Sequence, residues 1–392
     1  MPAHDTLTGE MAGTRGDLLG LVMKTTALTV ATVGLYSFWA RTRIRRWLWS
    51  SLRVAGMPME YAGRPVEKLM GFVIAAVIVG VYLGLVVMLL VFASLNLMGE
   101  SWPGLLAAAA LVLPVFWLAK YRGQRYLLNH TRWRGIAFSM APGAWGYVLR
   151  AAGWGLGVVL TGMILLPVRT QRLWRFRAER TFYGEDGFTL ETPAHALYLA
   201  FTPFLVGLYG SVACGVAVWL EQDAAGLGFL VFPPLGLFGW VYWRVVSFRL
   251  LASGLRFRGD MALRVAPRTG TVIGIHIVGW LLMGLLFGAI ALALVFATGF
   301  FTAGAQAQFD IETFQNVSPY VAIASGVLFY LTFFVLRGAL RIAMVTFPLF
   351  RHVAGTLTVT NGVGVNAVRR GEAAHMADAD GFANLFDMGS GI

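Results

Sequence analysis

The chain has 392 residues, of which 58% are hydrophobic and 13% are charged, and its formal net charge is +12. Soluble domains contain about 45–50% apolar and about 25% charged residues, so the composition excludes an ordinary soluble protein and predicts an integral membrane protein. The single cysteine, Cys214, excludes a disulfide framework within the chain. Residues 1–16 lack the charged and apolar regions of a signal peptide, and we expect the N-terminus to be retained.

Six apolar runs are long enough for the roughly 20 helical residues that cross a bilayer core. They pair into three hairpins and cover residues 70–98, 102–120, 194–220, 225–247, 271–300 and 318–342. Gly80/Gly84 and Gly284/Gly288 have the spacing that permits close helix packing. Two further runs are interrupted: 17–39 contains Lys24 among threonines, and 144–168 contains Arg150 and several glycines.

Basic residues are concentrated in five segments, whereas the three hairpin tips contain no Lys or Arg; the segments are 41–68, 120–134, 169–180, 244–268 and 337–370. The positive-inside rule predicts that all five segments and both termini are cytoplasmic. Run 144–168 separates two of these segments, so we expect it to enter the membrane and return, or to lie along the interface. We expect the same of run 17–39. The alternative is that both runs cross and the rule is broken.

A short pattern recurs in the basic segments. A basic residue is followed by Arg five positions later, then by Gly ten positions after that, and then by alternating apolar residues. The copies are Arg41/Arg46/Gly56, Lys120/Arg125/Gly135, Arg172/Arg177/Gly187 and Arg244/Arg249/Gly259, with a looser fifth copy that ends in Thr356–Thr360. Gly permits a turn with positive φ, and the alternation has the period of a strand. The pattern predicts five short strands and internal duplication, unless it only reflects helices that end in Arg and a Gly turn.

The predicted fold is an α-helical polytopic membrane protein with about six transmembrane helices, two re-entrant or interfacial segments and short cytoplasmic β-strands. We assign residues 1–16 to a cytoplasmic N-terminal segment, 17–365 to the membrane domain and 366–392 to a cytoplasmic C-terminal tail. In the tail, Phe382, Leu385, Phe386 and Met388 lie close to one face of a helix. We expect this helix to dock on the protein's own cationic loops; the alternative is a disordered tail.

Motifs for metal, phosphate-loop, dinucleotide and nucleophile-elbow sites do not occur in the sequence, so we expect no enzyme activity and no cofactor. His276, in an apolar run, is either a proton or substrate relay or a buried structural histidine. Trp and Tyr accompany the basic residues, as at membrane interfaces, so the charge does not indicate nucleic-acid binding. We predict that ten basic residues contact anionic phospholipid headgroups or an anionic solute: Lys24, Arg41, Arg43, Arg46, Arg122, Arg125, Arg150, Arg172, Arg244 and Arg249.

Two strings, GLYSFWARTR at 34–43 and NHTRWRGI at 129–136, resemble the YjgN-like family of bacterial inner-membrane proteins, which is a domain of unknown function. The resemblance covers almost the whole chain, including GFANLFD at 381–387. It implies a multi-pass protein of the bacterial inner membrane and brings no catalytic residues. It also implies a membrane zinc metallopeptidase as a candidate partner. The third and fifth copies of the repeated pattern depart from the family's pattern.

Two functions fit these observations. The first is a transporter or channel for a small anionic solute or lipid, because interrupted runs in corresponding places, here with Lys24 and Arg150, are typical of transport sites. The second is a scaffold or adaptor that binds anionic lipid or a partner such as a membrane protease. Transport requires a polar path between helices, whereas a scaffold requires an exposed docking face. The sequence slightly favours transport and identifies neither a substrate nor an oligomeric state.

Overall fold

The computed structural model of the protein describes residues 6–258, 261–303 and 319–368. These residues fall into two compact units. The first unit consists of residues up to 12, residues 45–269 and residues from 353 onwards, and the second consists of residues 13–44 and 270–352. The predicted tail helix lies outside the described residues.

The first unit contains a closed β-barrel whose neighbouring strands are all antiparallel. Its order around the barrel is β1-β10-β9-β8-β7-β6-β5-β4-β3-β2. The strands are β1 (Thr6–Met11), β2 (Leu52–Val54), β3 (Met57–Tyr61), β4 (Thr131–Trp133), β5 (Ile136–Met140), β6 (Thr181–Tyr183), β7 (Asp186–Leu190), β8 (Leu255–Phe257), β9 (Met261–Val265) and β10 (Leu357–Thr360).

Four tight hairpins supply eight of these strands. The β2–β3 turn has positive φ at Ala55 and Gly56, and the β4–β5 turn at Arg134 and Gly135. Two successive residues with positive φ match the twist of an antiparallel pair, which explains the glycines. The strands predicted after Gly56 and Gly135 are confirmed, as are β7, β9 and β10.

In the third hairpin the predicted turn position is wrong, because the positive φ lies at Gly184. Gly187 instead belongs to β7, where it faces Phe182 of β6.

The N-terminal strand closes the barrel. β1 pairs with β10 through Thr6–Thr8 and with β2 through Gly9–Met11. Glycine is required at position 9 because a Cβ there would lie 2.7 Å from the carbonyl oxygen of Ala354. The core includes Val54, Trp133, Tyr183, Phe257 and Met261, and a short 3-10 helix (Gly362–Ala367) adds Val365 to it.

The barrel overturns the predicted fold class. The predicted class was a polytopic α-helical protein with a few short strands. This class is wrong, because ten strands of the chain form a closed barrel. The prediction missed β2, β4, β6 and β8, which are three residues long and begin within three residues of the end of a helix. It also missed β1, which lies in a polar segment. Their pairing is stabilised by partners distant in sequence, and local pattern does not reveal such pairing.

Between its strands, the chain leaves the barrel five times and returns each time. The helices in these excursions are α1 (Arg15–Ala31), α2 (Ser37–Ser51), α3 (Pro65–Val77), α4 (Gly84–Met98), α5 (Trp102–Asn129), α6 (Ala144–Leu160), α7 (Leu166–Ala178), α8 (Tyr198–Trp219), α9 (Phe232–Ser253), α10 (Thr269–Ala303), α11 (Pro319–Arg341) and α12 (Phe347–Gly355). Strands of three to six residues are shorter than the roughly 9–11 residues needed to cross a bilayer. The barrel therefore lies on one side of any membrane that the helices cross.

Five helical segments among the described residues are long and apolar enough to cross a membrane: Trp102–Asn129, Ala194–Trp219, Ala224–Ser253, Thr269–Ala297 and Ile323–Gly355. Such helices are expected of a membrane protein. One of the six predicted runs, 70–98, does not meet this criterion. A π-helical turn at Ile78–Leu83 interrupts this run and leaves Gly84–Met98 as a shorter apolar helix.

The two interrupted runs each form a helix, a tight turn and a second helix. The turns carry the same hydrogen bonds: the Thr32 hydroxyl donates to the Leu28 carbonyl and accepts from the Tyr36 amide, and the Thr161 hydroxyl donates to Gly157 and accepts from Leu165. Run 144–168 thus forms two helices joined by a turn between β5 and β6, which belong to one barrel. That this run does not cross the membrane stays a prediction.

Candidate functional site: an interhelical cationic cluster

Four basic side chains from three helices form a cluster in the first unit. Lys120 lies on α5, Arg169 and Arg177 on α7, and Arg244 on α9. The charges of all three arginines act on the Lys120 ammonium group. We call these four residues the cationic cluster. Like charges at this range repel one another, so the arrangement requires a source of compensation.

Helix geometry places the cluster. Arg169 and Arg177 are eight residues apart on α7, close to two turns, so they project from the same side of that helix. Lys120 and Gln124 are four residues apart on α5 and also share a face. Arg244 directly follows Trp243, which is buried among the aromatic side chains between α8 and α9.

The two arginines that α7 contributes to the cluster are partly buried, and only some of their N–H donors have a hydrogen-bond partner. Arg177 donates from Nη1 to Gln124 Oε1 at 2.9 Å and from Nε to the Leu173 carbonyl at 3.3 Å. Arg169 makes a long contact of 3.5 Å from Nε to the Ala151 carbonyl. A guanidinium group carries five N–H donors, so both arginines retain donors for a ligand.

Aromatic rings surround these guanidinium groups. Arg177 lies over Trp174 at 5.4 Å and Arg169 over Trp117 at 5.8 Å, measured to the ring centroids. Burial lowers the pKa of Arg169 and Arg177 below the ordinary value for arginine. Arginine nevertheless stays protonated in proteins, so losing a proton does not relieve the desolvation of these charges. Arg244 is exposed, which makes the cluster accessible.

The barrel arginines provide a contrast, because acidic residues compensate them. Arg256 forms an ion pair with Glu191 at 2.8 Å, and Arg258 with Asp186 at 3.1 Å. Arg132 lies opposite Glu60 in the sheet. In the described part of the chain, by comparison, no acidic side chain forms an ion pair with a member of the cationic cluster. Among the described residues, the charge of the cationic cluster is therefore not compensated by acidic side chains.

The structure brings one of the ten predicted contact residues, Arg244, into the cluster. Arg46 and Arg125 donate to the carbonyls of Gly63 and Met140, which are structural roles. Three other predicted residues lie over aromatic rings: Arg43 over Tyr36, Arg150 over Phe176 and Arg172 over Trp154. Lys24 and Arg249 are exposed, and Arg41 and Arg122 are half-buried.

Sequence reasoning missed three members of the cluster as site residues. Lys120 and Arg177 were recognised only as members of the repeated pattern, and Arg169 only as part of a basic segment. The available signal was the helical spacing of Arg169 with Arg177 and of Lys120 with Gln124. The Nδ1 atom of His276 lies 2.8 Å from the Val272 carbonyl, which favours the structural interpretation of this histidine.

Comparison with known proteins identifies the family. Residues 6–290 match the family described as bacterial protein of unknown function (DUF898). The chain belongs to this family. It is the YjgN-like family that the two sequence strings indicated, and the match covers barrel strands β1–β9 and all four members of the cationic cluster. Neither the curated proteins nor the solved structures contain a significant match to the chain.

Proposed function

We propose that this bacterial membrane protein transports a small anionic solute or an anionic lipid, and that the cationic cluster binds the anion. The observation that carries the proposal is the convergence of four cations from α5, α7 and α9 without acidic compensation among the described residues. An anion placed between these groups would convert mutual repulsion into attraction and use the remaining guanidinium donors. Arginine is well suited to this role because its planar donors match the oxygens of phosphate and carboxylate groups.

The surrounding helices favour transport over simple adhesion to a membrane surface. α5 and α9 belong to segments that are long enough to cross a bilayer, whereas α6 and α7 form a hairpin that reverses at residues 161–165. Interrupted helices beside continuous ones are typical of substrate sites in transporters. In the proposal the barrel and both termini are cytoplasmic and the membrane is the bacterial inner membrane, following the distribution of basic residues.

Binding by the purified full-length protein tests the proposal. The protein would be reconstituted into nanodiscs, and its affinity for phosphatidylglycerol, phosphatidylcholine and inorganic phosphate compared. Arg244→Gln should weaken anion binding by roughly 10- to 100-fold, which corresponds to one charge-assisted hydrogen bond of about 1.5–3 kcal/mol. Arg249→Gln is the matched control, because Arg249 is also an exposed arginine on α9.

Equal losses in the two variants would mean that general surface charge, rather than the cluster, attracts the anion. Liposome uptake of the bound anion then tests transport. Uptake by the wild-type protein that Arg244→Gln abolishes supports transport, whereas specific binding without uptake would refute transport and retain binding.

The barrel favours a second candidate function, a scaffold. It is a large non-spanning module, and closure leaves none of its ten strands with an unpaired edge, so a partner would have to bind outward side chains. The partner suggested by the family resemblance is a membrane zinc metallopeptidase. Cross-linking from the exposed Arg264 of β9, replaced by a photoreactive residue, would test this function. A metallopeptidase adduct would support the scaffold, and labelling by lipid alone would contradict it.

A further inference from the structure

The second unit contains an open cleft of about 540 Å³. Three basic side chains line it: Arg15 at the start of α1, and Arg351 and His352 on α12. We call this space the basic cleft. Its volume lies within the range of about 300–1,000 Å³ that is usual for small-molecule sites.

The electrostatic character of the basic cleft is positive, because none of the side chains that line it is acidic. The acidic residue closest in sequence to Arg15 is Asp17, and a local role occupies it. Asp17 Oδ2 accepts a hydrogen bond from the Thr14 hydroxyl at 2.5 Å, and the Asp17 amide donates to that hydroxyl oxygen at 3.2 Å. Asp17 therefore belongs to the cap of α1.

Apolar residues form part of the remaining lining. Ile275 of α10 and Pro348 of α12 supply apolar surface beside the basic groups. Apolar walls with a few convergent polar groups are the usual composition of a ligand site. A fully hydrated inorganic ion would gain nothing from these walls, whereas the apolar part of an amphiphile would bury surface against them.

We propose that the basic cleft binds a phosphate-type oxyanion that carries an apolar body. Arg15 and Arg351 hold the oxyanion through their planar donors, and Ile275 and Pro348 contact the apolar part. This chemistry could be provided by the headgroup of an anionic lipid or by a free phosphate ester. The basic cleft lies entirely in the second unit and shares no residue with the cationic cluster, so the proposal does not depend on the proposed function.

The experiment uses the full-length protein in detergent and a photoreactive phosphatidic acid whose diazirine is carried on the acyl chain. After irradiation, proteolysis and mass spectrometry locate the labelled residues. We expect label in the peptide that contains Phe347 and Pro348. The double variant Arg15→Gln/Arg351→Gln should reduce this labelling by about tenfold or more, as expected for the loss of charge-assisted hydrogen bonds. The control Arg264→Gln removes an exposed arginine of the barrel and should leave the labelling unchanged.

Competition distinguishes the two sources of the oxyanion. Displacement of the label by unlabelled phosphatidic acid but not by hexyl phosphate assigns the cleft to lipid, whereas displacement by both assigns it to a free phosphate ester with an apolar group. Label that is absent from 347–348, or that falls equally in the double variant and the Arg264 control, would overturn the proposal.

Arg244→Gln separates this proposal from the proposed function. We expect Arg244→Gln to leave the labelling of the cleft peptide unchanged. If Arg244→Gln reduces this labelling as much as the double variant does, the basic cleft is not independent of the cationic cluster.

Discussion

The contact between α8 and α9 leads to a quantitative prediction, because it depends on glycines that face one another. A Cβ added at Gly207 would lie 2.2 Å from the amide nitrogen of Gly236 and 2.3 Å from its Cα. Ordinary contact begins near 3.4 Å, so Gly207→Ala would force the two helices apart by about 1 Å, since a backbone atom cannot rotate away.

The expected cost follows from this displacement. Inserting one methyl group into a tightly packed contact costs about 1–3 kcal/mol, and a radial gap of about 0.5–1 Å elsewhere in the interface forfeits a quarter to a half of each dispersion contact. Alanine gains up to about 1 kcal/mol over glycine in a helix, which offsets part of the cost. We therefore expect Gly207→Ala to lower the free energy of unfolding by about 1–2 kcal/mol.

Unfolding by sodium dodecyl sulfate in mixed micelles, followed by tryptophan fluorescence, measures this difference. Gly284→Ala is the matched control, because position 284 is also in an apolar helix and an added Cβ there has no neighbour within 4 Å. It should be neutral or stabilising. If Gly207→Ala proves at least as stable as Gly284→Ala, the close approach of α8 and α9 is not maintained in the protein.

Three further predictions concern the barrel and its helices. Burial lowers the pKa of His130, so the folded protein favours the neutral ring; stability should fall as the pH drops below about 6.5, the ordinary pKa. His130→Asn should reduce that dependence in thermal melts, and a wild-type protein that gains stability on acidification would contradict it. Gly9→Ala should lower stability by about 1–3 kcal/mol, measured against Gly20→Ala, where no atom lies within 4 Å; equal stability would refute the tight closure by β1. Reporter fusions at residues 100 and 222 should report the side opposite to fusions at 60 and 180, and a shared side would contradict the hairpin arrangement.

Much of the local structure was predictable from sequence. The turns at Ala55–Gly56 and Arg134–Gly135 combine glycine with flanking strand residues, and such two-residue connections are a strong hairpin signal. The distribution of basic residues predicted that run 144–168 turns back, and the structure contains a turn at residues 161–165 between two helices; the side of the membrane stays a prediction.

Features that depend on distant partners were not predictable in this way. β1 resembles an irregular polar segment until β10 and β2 provide pairing partners. Glycine spacing also did not identify the close helix contact. A Cβ at Gly80 or Gly284 would have no neighbour within 4 Å, whereas Gly207 lies against Gly236 on another helix. Likewise, the cationic cluster arises from the packing of α5, α7 and α9, and a single helix carries only part of it.

Closure of the barrel by its first and last strands affects how the protein is made. The ribosome synthesises β1 at the beginning, yet Thr8 pairs with Thr358, so the part of β1 that pairs with β10 must wait until all five excursions have emerged. Such distant pairing forms slowly. We expect chains arrested before Leu357 to expose the edges of β1 and β9, which invite aggregation and recognition by proteases. A completed barrel would therefore distinguish finished chains from arrested ones, which pulse-labelled degradation of truncated chains can measure.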